Sequence, residues 1–174
     1  MKFFNKLTVI LGAACILFSQ ALAAQSTTID VSLTVDNEYT LCISTDAGAF
    51  GSLIGADSNW PDAETYTDVA LTPGVTNYIH VFAKNVDGSG NPAAFLAELT
   101  LSDDLFRFPN GTQSLLTNTT DGWLAGPTAP VAATPVKIGD HGDAPWGVIP
   151  PISAEADWIW LDAVGPAQTQ DVIF

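Results

Sequence analysis

The chain has 174 residues, of which 47% are hydrophobic, and it carries 19 acidic residues against five lysines and arginines, a formal net charge of −14. This length suits one domain with a sizeable hydrophobic core. A charge of this sign argues against nucleic acid and anionic membranes as partners, because both require a basic surface.

The first 23 residues have the pattern of a bacterial signal peptide. Lys2 and Lys6 form a short basic region, residues 7–18 are apolar but too short to span a membrane comfortably, and an A-x-A cleavage motif ends at Ala23. We therefore expect a protein that is secreted or periplasmic and has no membrane segment after cleavage. Removing residues 1–23 takes away two lysines and no acidic residue, so the net charge becomes −16.

Residues 24–174 are predicted to form a single domain without an internal disulfide, since they contain one cysteine, Cys42. Cys42 lies between Leu41 and Ile43 in an apolar strand, which favours a buried, inert thiol. An intermolecular bridge is the alternative.

The most strongly patterned stretch is residues 78–101, which predicts two strands joined by a polar turn at residues 85–92. The first strand is apolar on both faces over much of its length, so we expect it to be central and covered twice. The second places Phe95, Ala97, Leu99 and Leu101 on one core face. The hypothesis is a hairpin around which the other strands pair.

Several shorter strands are predicted on either side of this hairpin. They cover residues 28–35, 38–44, 66–71, 113–117, 157–161 and 169–174, with a further short strand at Phe106 and Phe108. Residues 45–56 are rich in small residues and are predicted as a loop or the end of an irregular hairpin. Residues 123–151 are predicted as a long loop pinned by Trp146. No helical period extends over three turns, so the fold class is all-β, a sandwich or barrel.

A set of motifs in chain order resembles a known family. They are VDNEYTLCIS (35–44), NW (59–60), LTPGVTNYIHVFAKNVDGSGNPAAFLAELTL (71–101), LLTNTTDGW (115–123), PWG (145–147) and ADWIW (156–160). This order is similar to the galactose-binding-like jelly-roll modules found beside the catalytic domains of bacterial glycosidases of the rhamnosidase type. The resemblance implies a jelly-roll β-sandwich and carbohydrate binding. The chain departs from the family's Asn-Gly hairpin at residues 44–48, where a ligand loop is expected to differ.

Catalytic motifs are absent from the sequence. There is no Gly-x-Ser-x-Gly elbow, phosphate loop, Cys-His pair or HExxH spacing. His80 alternates within an apolar strand and is predicted to be a hydrogen-bonded structural histidine. The protein is therefore predicted not to be an enzyme. Glycoside hydrolysis is kept as a third hypothesis because nineteen acidic residues offer carboxylate pairs.

Three tryptophans lie beside polar residues that suit a sugar, whose C–H face stacks on an aromatic ring while its hydroxyls bond to carboxylates and amides. The candidate ligand-binding residues are Trp60 with Asp57 and Asn59, Trp123 with Asp121, and Trp146 with His141 and Asp143. The family resemblance implies instead that these tryptophans pack. Trp158 and Trp160 alternate in one strand, so they are expected to share a face and to pack.

Calcium is the metal that the sequence favours, because hard oxygen ligands are plentiful. The candidate ligands are Asp36, Asn37 and Glu38, or the loop that begins at Asp140, or Asp57 with Asp62. None of these sets matches an EF-hand loop, and solvated turn residues are the alternative interpretation of each.

Together these patterns predict a secreted, non-catalytic, lectin-like module that binds a polysaccharide or glycan, with calcium as an optional cofactor. The sugar is expected at loops on one end of the sandwich or on a sheet face. The alternative is a structural subunit of an extracellular matrix or surface assembly that self-associates through the same sandwich.

Overall fold

The structure is a computed structural model that describes residues 26–86, 92–165 and 168–174. The predicted signal peptide, and residues 87–91 of the predicted turn, lie outside these ranges. The described residues form ten strands and contain no helix long and apolar enough to cross a membrane. The strands are β1 (Thr28–Asp36), β2 (Glu38–Ser44), β3 (Ser52–Asp57), β4 (Glu64–Ala70), β5 (Tyr78–Lys84), β6 (Ala94–Leu101), β7 (Ser114–Leu116), β8 (Val136–Asp140), β9 (Asp157–Trp160) and β10 (Asp171–Ile173).

The strands form two antiparallel sheets that pack face to face as a β-sandwich. The six-stranded sheet has the order β4-β1-β6-β9-β8, with β7 paired to β6 beside β9. The four-stranded sheet has the order β10-β5-β2-β3. The all-β prediction is confirmed, and so are the strands predicted at residues 28–35, 38–44, 66–71, 113–117, 157–161 and 169–174, to within a few residues.

The main core lies between the sheets and follows the period-2 alternation of the strands. In the six-stranded sheet, β1 and β6 each turn alternate residues into this core, as their sequences predict. The side chains concerned are Ile29, Val31, Leu33, Val35, Phe95, Ala97, Leu99 and Leu101. From the four-stranded sheet, Leu41, Val81 and Ala83 meet them, each 1% exposed or less.

A second, smaller cluster lies on the outer side of the six-stranded sheet. Residues 141–156 cross this side and bury Trp146, Ile149 and Ile152 against Leu96 and Trp158. Trp146 is 6% exposed and stacks on Trp158 with ring centroids 4.8 Å apart. The prediction that Trp146 pins the long loop is therefore confirmed.

The predicted hairpin is wrong, because β5 and β6 belong to different sheets. β5 pairs with β2 and β10, whereas β6 pairs with β1, β7 and β9. The chain between them is thus a crossover from one sheet to the other. β5 is central in its sheet, as expected, but only one of its faces meets the core, since Phe82 on the other is 38% exposed.

Two local predictions are also wrong, and a third holds in only one of its two alternatives. β8 lies within residues 123–151, the long predicted loop. β3 lies within residues 45–56, where the loop alternative is wrong and the irregular hairpin is the correct one, since β3 pairs antiparallel with β2 across a register shift. Phe106 and Phe108 form no strand, and the Phe108 amide instead donates to Thr112 O at 3.0 Å across a turn. Both missed strands are edge strands and half exposed, so they lack the apolar alternation that identifies a strand.

Trp158 and Trp160 pack, as predicted, but they do not share a cluster. Trp158 belongs to the outer cluster under Trp146. Trp160, the last residue of β9, packs in the main core, where its ring lies 5.7 Å from that of Phe174. The prediction that the two tryptophans share a face is therefore wrong, because Trp160, at the end of β9, does not follow the alternation of the strand.

Cys42 is buried with a free thiol, as the sequence predicts. Burial raises the pKa of this thiol above its ordinary value.

Candidate functional site

The predicted residues Trp60, Trp146 and Asp36 meet at one end of the six-stranded sheet. The Trp146 Nε1 donates to Asp36 Oδ2 at 2.8 Å, and its ring is stacked on Trp158. Trp60 is half-buried against the same cluster, and its carbonyl oxygen accepts a hydrogen bond from Thr34 Oγ1 at 2.8 Å. These contacts hold the two tryptophans in the packing of the sandwich. Their role in ligand binding stays a prediction.

The polar residues beside Trp60 bond to one another. The Asn59 amide donates to Asp57 Oδ2 at 2.8 Å, and Asn59 Nδ2 donates to Asp62 Oδ2 at 2.8 Å. This local network explains why residues 57–62 turn.

His141 links two backbone groups through the hydrogen bonds of its ring nitrogens. Its Nδ1 bonds to Ser153 O at 2.8 Å, and its Nε2 accepts from the Ile149 amide at 2.7 Å. A ring that donates from Nδ1 and accepts at Nε2 is the neutral tautomer protonated at Nδ1. Asp143 Oδ2 accepts from the Asp140 amide at 2.9 Å. His141 and Asp143 thus shape the segment that covers the outer cluster.

Asp140 also takes part in the ion pairs of Lys137. The Lys137 Nζ pairs with Asp140, and with Asp157 Oδ1 at 2.8 Å. Hydrogen bonds to Asp140 and then Asp157 raise the pKa of Lys137. Lys137 thus joins β8 to β9 through Asp157, while its pair with Asp140 lies within β8.

Asp121 and Trp123 lie in the segment that follows β7 in the chain. Trp123 is 7% exposed, donates from Nε1 to Leu116 O at 2.9 Å and meets Phe95 edge-on at 5.2 Å. Asp121 accepts from Asn110 Nδ2 at 3.3 Å. Trp123 is therefore a core residue, although part of it lines a cavity described below.

The predicted calcium ligands Asp36, Asn37 and Glu38 lie where β1 passes into β2. Asn37 Nδ2 donates to Asp36 Oδ1 at 2.7 Å, and Asn37 Oδ1 accepts from the Val86 amide at 3.0 Å. Across residues 26–86, 92–165 and 168–174, no group of three or more His, Cys, Asp or Glu side chains is arranged to hold a metal ion. Calcium stays a prediction.

The two most exposed aromatic side chains among the described residues, Phe50 and Phe82, lie elsewhere, on the outer face of the four-stranded sheet. β5 turns Val81 and Ala83 into the core, so Tyr78, His80 and Phe82 project outward. Phe50, from the loop between β2 and β3, lies edge-on to His80 at 5.6 Å and to Phe82 at 6.0 Å. Phe50 and Phe82 are 39% and 38% exposed. We call these four residues, Phe50, Tyr78, His80 and Phe82, the aromatic face.

Polar side chains flank the aromatic face because of the register between β5 and β2. Thr40 lies opposite Phe82, and Ser44 lies opposite Tyr78. Residues directly opposite one another in an antiparallel pair project to the same side of the sheet. The pair Glu38 and Lys84 continues the row beyond Thr40. The surface therefore offers ring faces with hydroxyl and charged groups beside them.

The loop that carries Phe50 is shaped by its own residues. Asp46 Oδ1 accepts from the Gly48 amide at 2.8 Å, and the Asp46 amide donates to Ser44 Oγ at 3.0 Å. At Gly51, φ is +72° and a Cβ atom would lie 2.2 Å from Ile43 O, so a glycine is required there. The loop returns to the sheet at that point, immediately after Phe50.

His80 differs from its prediction. It is buried, with 5% of its surface exposed, and its ring stacks on Tyr78 at 6.2 Å. Its Nε2 has no hydrogen-bond partner among the residues that the structure describes. The prediction of a hydrogen-bonded structural histidine is thus wrong for this nitrogen, because Phe50 and Tyr78 surround it with rings.

Two of the cavities near the end of the sandwich where β5 begins adjoin each other. The larger has a volume of about 680 Å³ and the smaller about 290 Å³, and Asn77, Ile79 and Phe108 line both. Asn77 fixes the turn before β5, since its Oδ1 accepts from the Thr72 amide at 2.8 Å. Among the predicted sugar-binding residues, Trp123 lines the smaller cavity.

Comparisons with models of known protein families, with curated proteins and with solved structures found no match. The relationship to galactose-binding-like modules therefore stays a prediction from the motifs, and function is argued from the surface itself.

Proposed function

We propose that the protein is a secreted, non-catalytic carbohydrate-binding module, with a galactose-binding-like jelly-roll fold, whose sugar-binding surface is the aromatic face. The observation that carries the proposal is the exposure of Phe50 and Phe82 on one sheet surface beside Thr40 and Ser44. A pyranose presents C–H groups to aromatic rings and hydroxyls to neighbouring polar atoms, and this surface offers both.

Two further features support this choice over Trp123 and Trp146. Trp123 and Trp146 are 7% and 6% exposed, whereas stacking on a sugar requires an open ring face. Rings that project from a strand are also held in place by the sheet, so binding would order few side chains.

The first experiment is affinity electrophoresis of the purified protein in gels that contain soluble polysaccharides, with calcium and with chelator. We expect retardation by at least one polysaccharide. Phe82→Ala should weaken binding about tenfold, the equivalent of about 1.4 kcal/mol. Val148→Ala is the control, because Val148 is 70% exposed on the segment that covers the other sheet. Equal retardation of wild type and Phe82→Ala would refute the aromatic face as the sugar site.

A second function, a subunit of a matrix or surface assembly, is favoured by one feature of the sheet edge. Leu53 is 67% exposed on β3, which is an edge strand of the four-stranded sheet. Among the described residues no strand pairs with the outer edge of β3, so this edge is able to pair with a strand of another chain. Analytical ultracentrifugation distinguishes the two functions, since a sugar-binding module is a monomer or small oligomer and an assembly subunit forms large particles. No retardation in any gel, together with large particles, would replace the first proposal with the second.

A further inference from the structure

We propose that the two adjoining cavities at the end of the sandwich form a binding site for an alkyl carboxylate, with Arg107 holding the carboxylate. The smaller cavity touches Tyr78 and His80 of the aromatic face, but neither Phe50 nor Phe82 lines either cavity. The proposal does not depend on sugar binding. The ligand class follows from the lining of the cavities and from the placement of one charged side chain.

The larger cavity is walled mainly by apolar side chains from both sheets and from two loops. Ile29, Leu71, Ile79, Leu101 and Phe106 contribute to its apolar lining. Leu105 is 68% exposed and Val75 is 46% exposed, so the rim is apolar as well. Its volume of about 680 Å³ lies within the range usual for small-molecule sites.

Arg107 is the charged residue of this lining and the one arginine in the sequence. Its Nη1 donates to Phe106 O at 2.8 Å, which occupies one of the five guanidinium N–H donors. Both salt bridges among the described residues belong to Lys137, so Arg107 has no ion pair there. Asp103, close in sequence, instead accepts hydrogen bonds from Thr27 and from the Leu105 amide.

An unpaired arginine is notable in a chain with 19 acidic residues. A guanidinium matches a carboxylate in shape and charge and binds it through two parallel hydrogen bonds. Charge complementarity therefore favours an anion, and the planar fork suits one that offers two oxygens side by side, of which we propose a carboxylate.

The smaller cavity would hold the alkyl chain of the ligand. It adjoins the larger one at Ile79 and Phe108 and is lined by Leu99, Leu115 and Trp123. An alkyl chain that runs from Arg107 across Ile79 would bury its methylenes there. An acidic sugar would fit less well, because its hydroxyls would lose their hydrogen bonds to water against these apolar walls.

The test is isothermal titration calorimetry of the full protein with octanoate, decanoate and 1-octanol, below their aggregation limits. We expect saturable 1:1 binding of octanoate. Decanoate should bind about tenfold tighter, since each buried methylene strengthens binding up to about fourfold. Arg107→Gln should weaken the binding of octanoate at least about tenfold and leave the binding of 1-octanol unchanged. The octanoate affinity of Arg107→Lys should lie between those of the wild type and Arg107→Gln.

Three variants complete the design. Leu105→Asp places a negative charge at the rim and should weaken octanoate binding. Val148→Asp carries the same charge on the segment that covers the outer side of the six-stranded sheet, which lines neither cavity, and should not weaken it. Both side chains are about equally exposed, 68% and 70%, so both variants should fold. Phe82→Ala should bind octanoate as the wild type does, which separates this site from the sugar site.

The proposal is overturned by any of three results. Octanoate does not bind, or Arg107→Gln binds it as tightly as the wild type, or galacturonate binds at Arg107 while decanoate does not.

Discussion

At the scale of single residues, a pair of tyrosines joins the two sheets. The Tyr39 hydroxyl on β2 and the Tyr66 hydroxyl on β4 lie 3.0 Å apart. Tyr39 is 4% exposed, and burial, followed by its hydrogen bond to Tyr66, raises its pKa above the ordinary value of 10.0. The Tyr66 ring in turn lies against Gly55 of β3, where a Cβ atom would be 2.2 Å from Cε1.

The Tyr39 pKa predicts a loss of stability in alkali. Its folded-state pKa is raised, so its contribution is complete below pH 10 and is lost as the pH rises further and the unfolded chain ionises. The slope from this group alone begins near pH 10 and approaches a loss of about 1.4 kcal/mol in the free energy of unfolding per pH unit at higher pH. Urea denaturation at pH 8 to 11 should show this slope in the wild type and a shallower one in Tyr39→Phe. Identical slopes would refute the assignment.

Gly55→Ala should be destabilising because the new methyl group displaces the Tyr66 ring and disturbs its contact with Tyr39. Overpacking of this kind costs about 1–3 kcal/mol. Gly48→Ala is a matched control, since its Cβ would lie 3.5 Å from its nearest neighbour, Asp46 Oδ1, in ordinary contact. Chemical denaturation should give a lower free energy of unfolding for Gly55→Ala than for Gly48→Ala. Equal values would contradict the prediction, because they would mean that the Tyr66 ring moves aside without loss of stability.

At the scale of elements, residues 141–156 form a cover over the six-stranded sheet. Trp146 holds this cover through its stack on Trp158 and its hydrogen bond to Asp36, and His141 closes it through Ser153 and Ile149. The cover has no strand of its own in the described structure, so its order depends on these side chains.

Trp146→Ala should therefore loosen the cover more than the sandwich. Replacing a buried tryptophan by alanine lowers stability by about 3–5 kcal/mol. Here the loss should mainly destabilise residues 141–156, because this segment is able to open without unfolding of the sandwich. Limited proteolysis followed by mass spectrometry should find cleavage within residues 141–156 in this variant and not in the wild type. Trp60→Ala, at the half-buried rim of the same cluster, should be cleaved more slowly. Cleavage spread evenly over the chain would contradict the account.

The strands could be predicted from sequence where one face is buried and the other polar, as in β1 and β6. The pairing of β5 with β2 could not, because turn residues between β5 and β6 indicate a change of direction and not which sheet the chain enters. β3 and β8 gave a weak signal, since edge strands bury little. For the candidate site, the alternation of Tyr78, His80 and Phe82 was visible in the sequence. The position of Phe50 was not, because it follows from the return of a glycine-rich loop onto the sheet.

At the scale of the whole molecule, the sandwich is stabilised by packing, with its one described cysteine free, against the repulsion of its acidic side chains. Salt shortens the range of that repulsion from about 30 Å at 0.01 M to about 8 Å at 0.15 M. The melting temperature should therefore rise over this range of sodium chloride concentration. Asp104→Asn, which removes one exposed charge, should reduce the rise slightly, and a melting temperature that falls with salt would contradict the argument.

The central claim is that the aromatic face binds carbohydrate. Its most direct test is a map of amide chemical-shift changes when the isotope-labelled protein is titrated with a polysaccharide fragment that retards it in gels. If the aromatic face binds the fragment, we expect the changes to centre on β5, β2 and the loop at residues 45–51. Changes centred instead on Trp60, Trp146 and Asp143 would contradict it and would place the sugar at the end of the sandwich that the sequence motifs favoured.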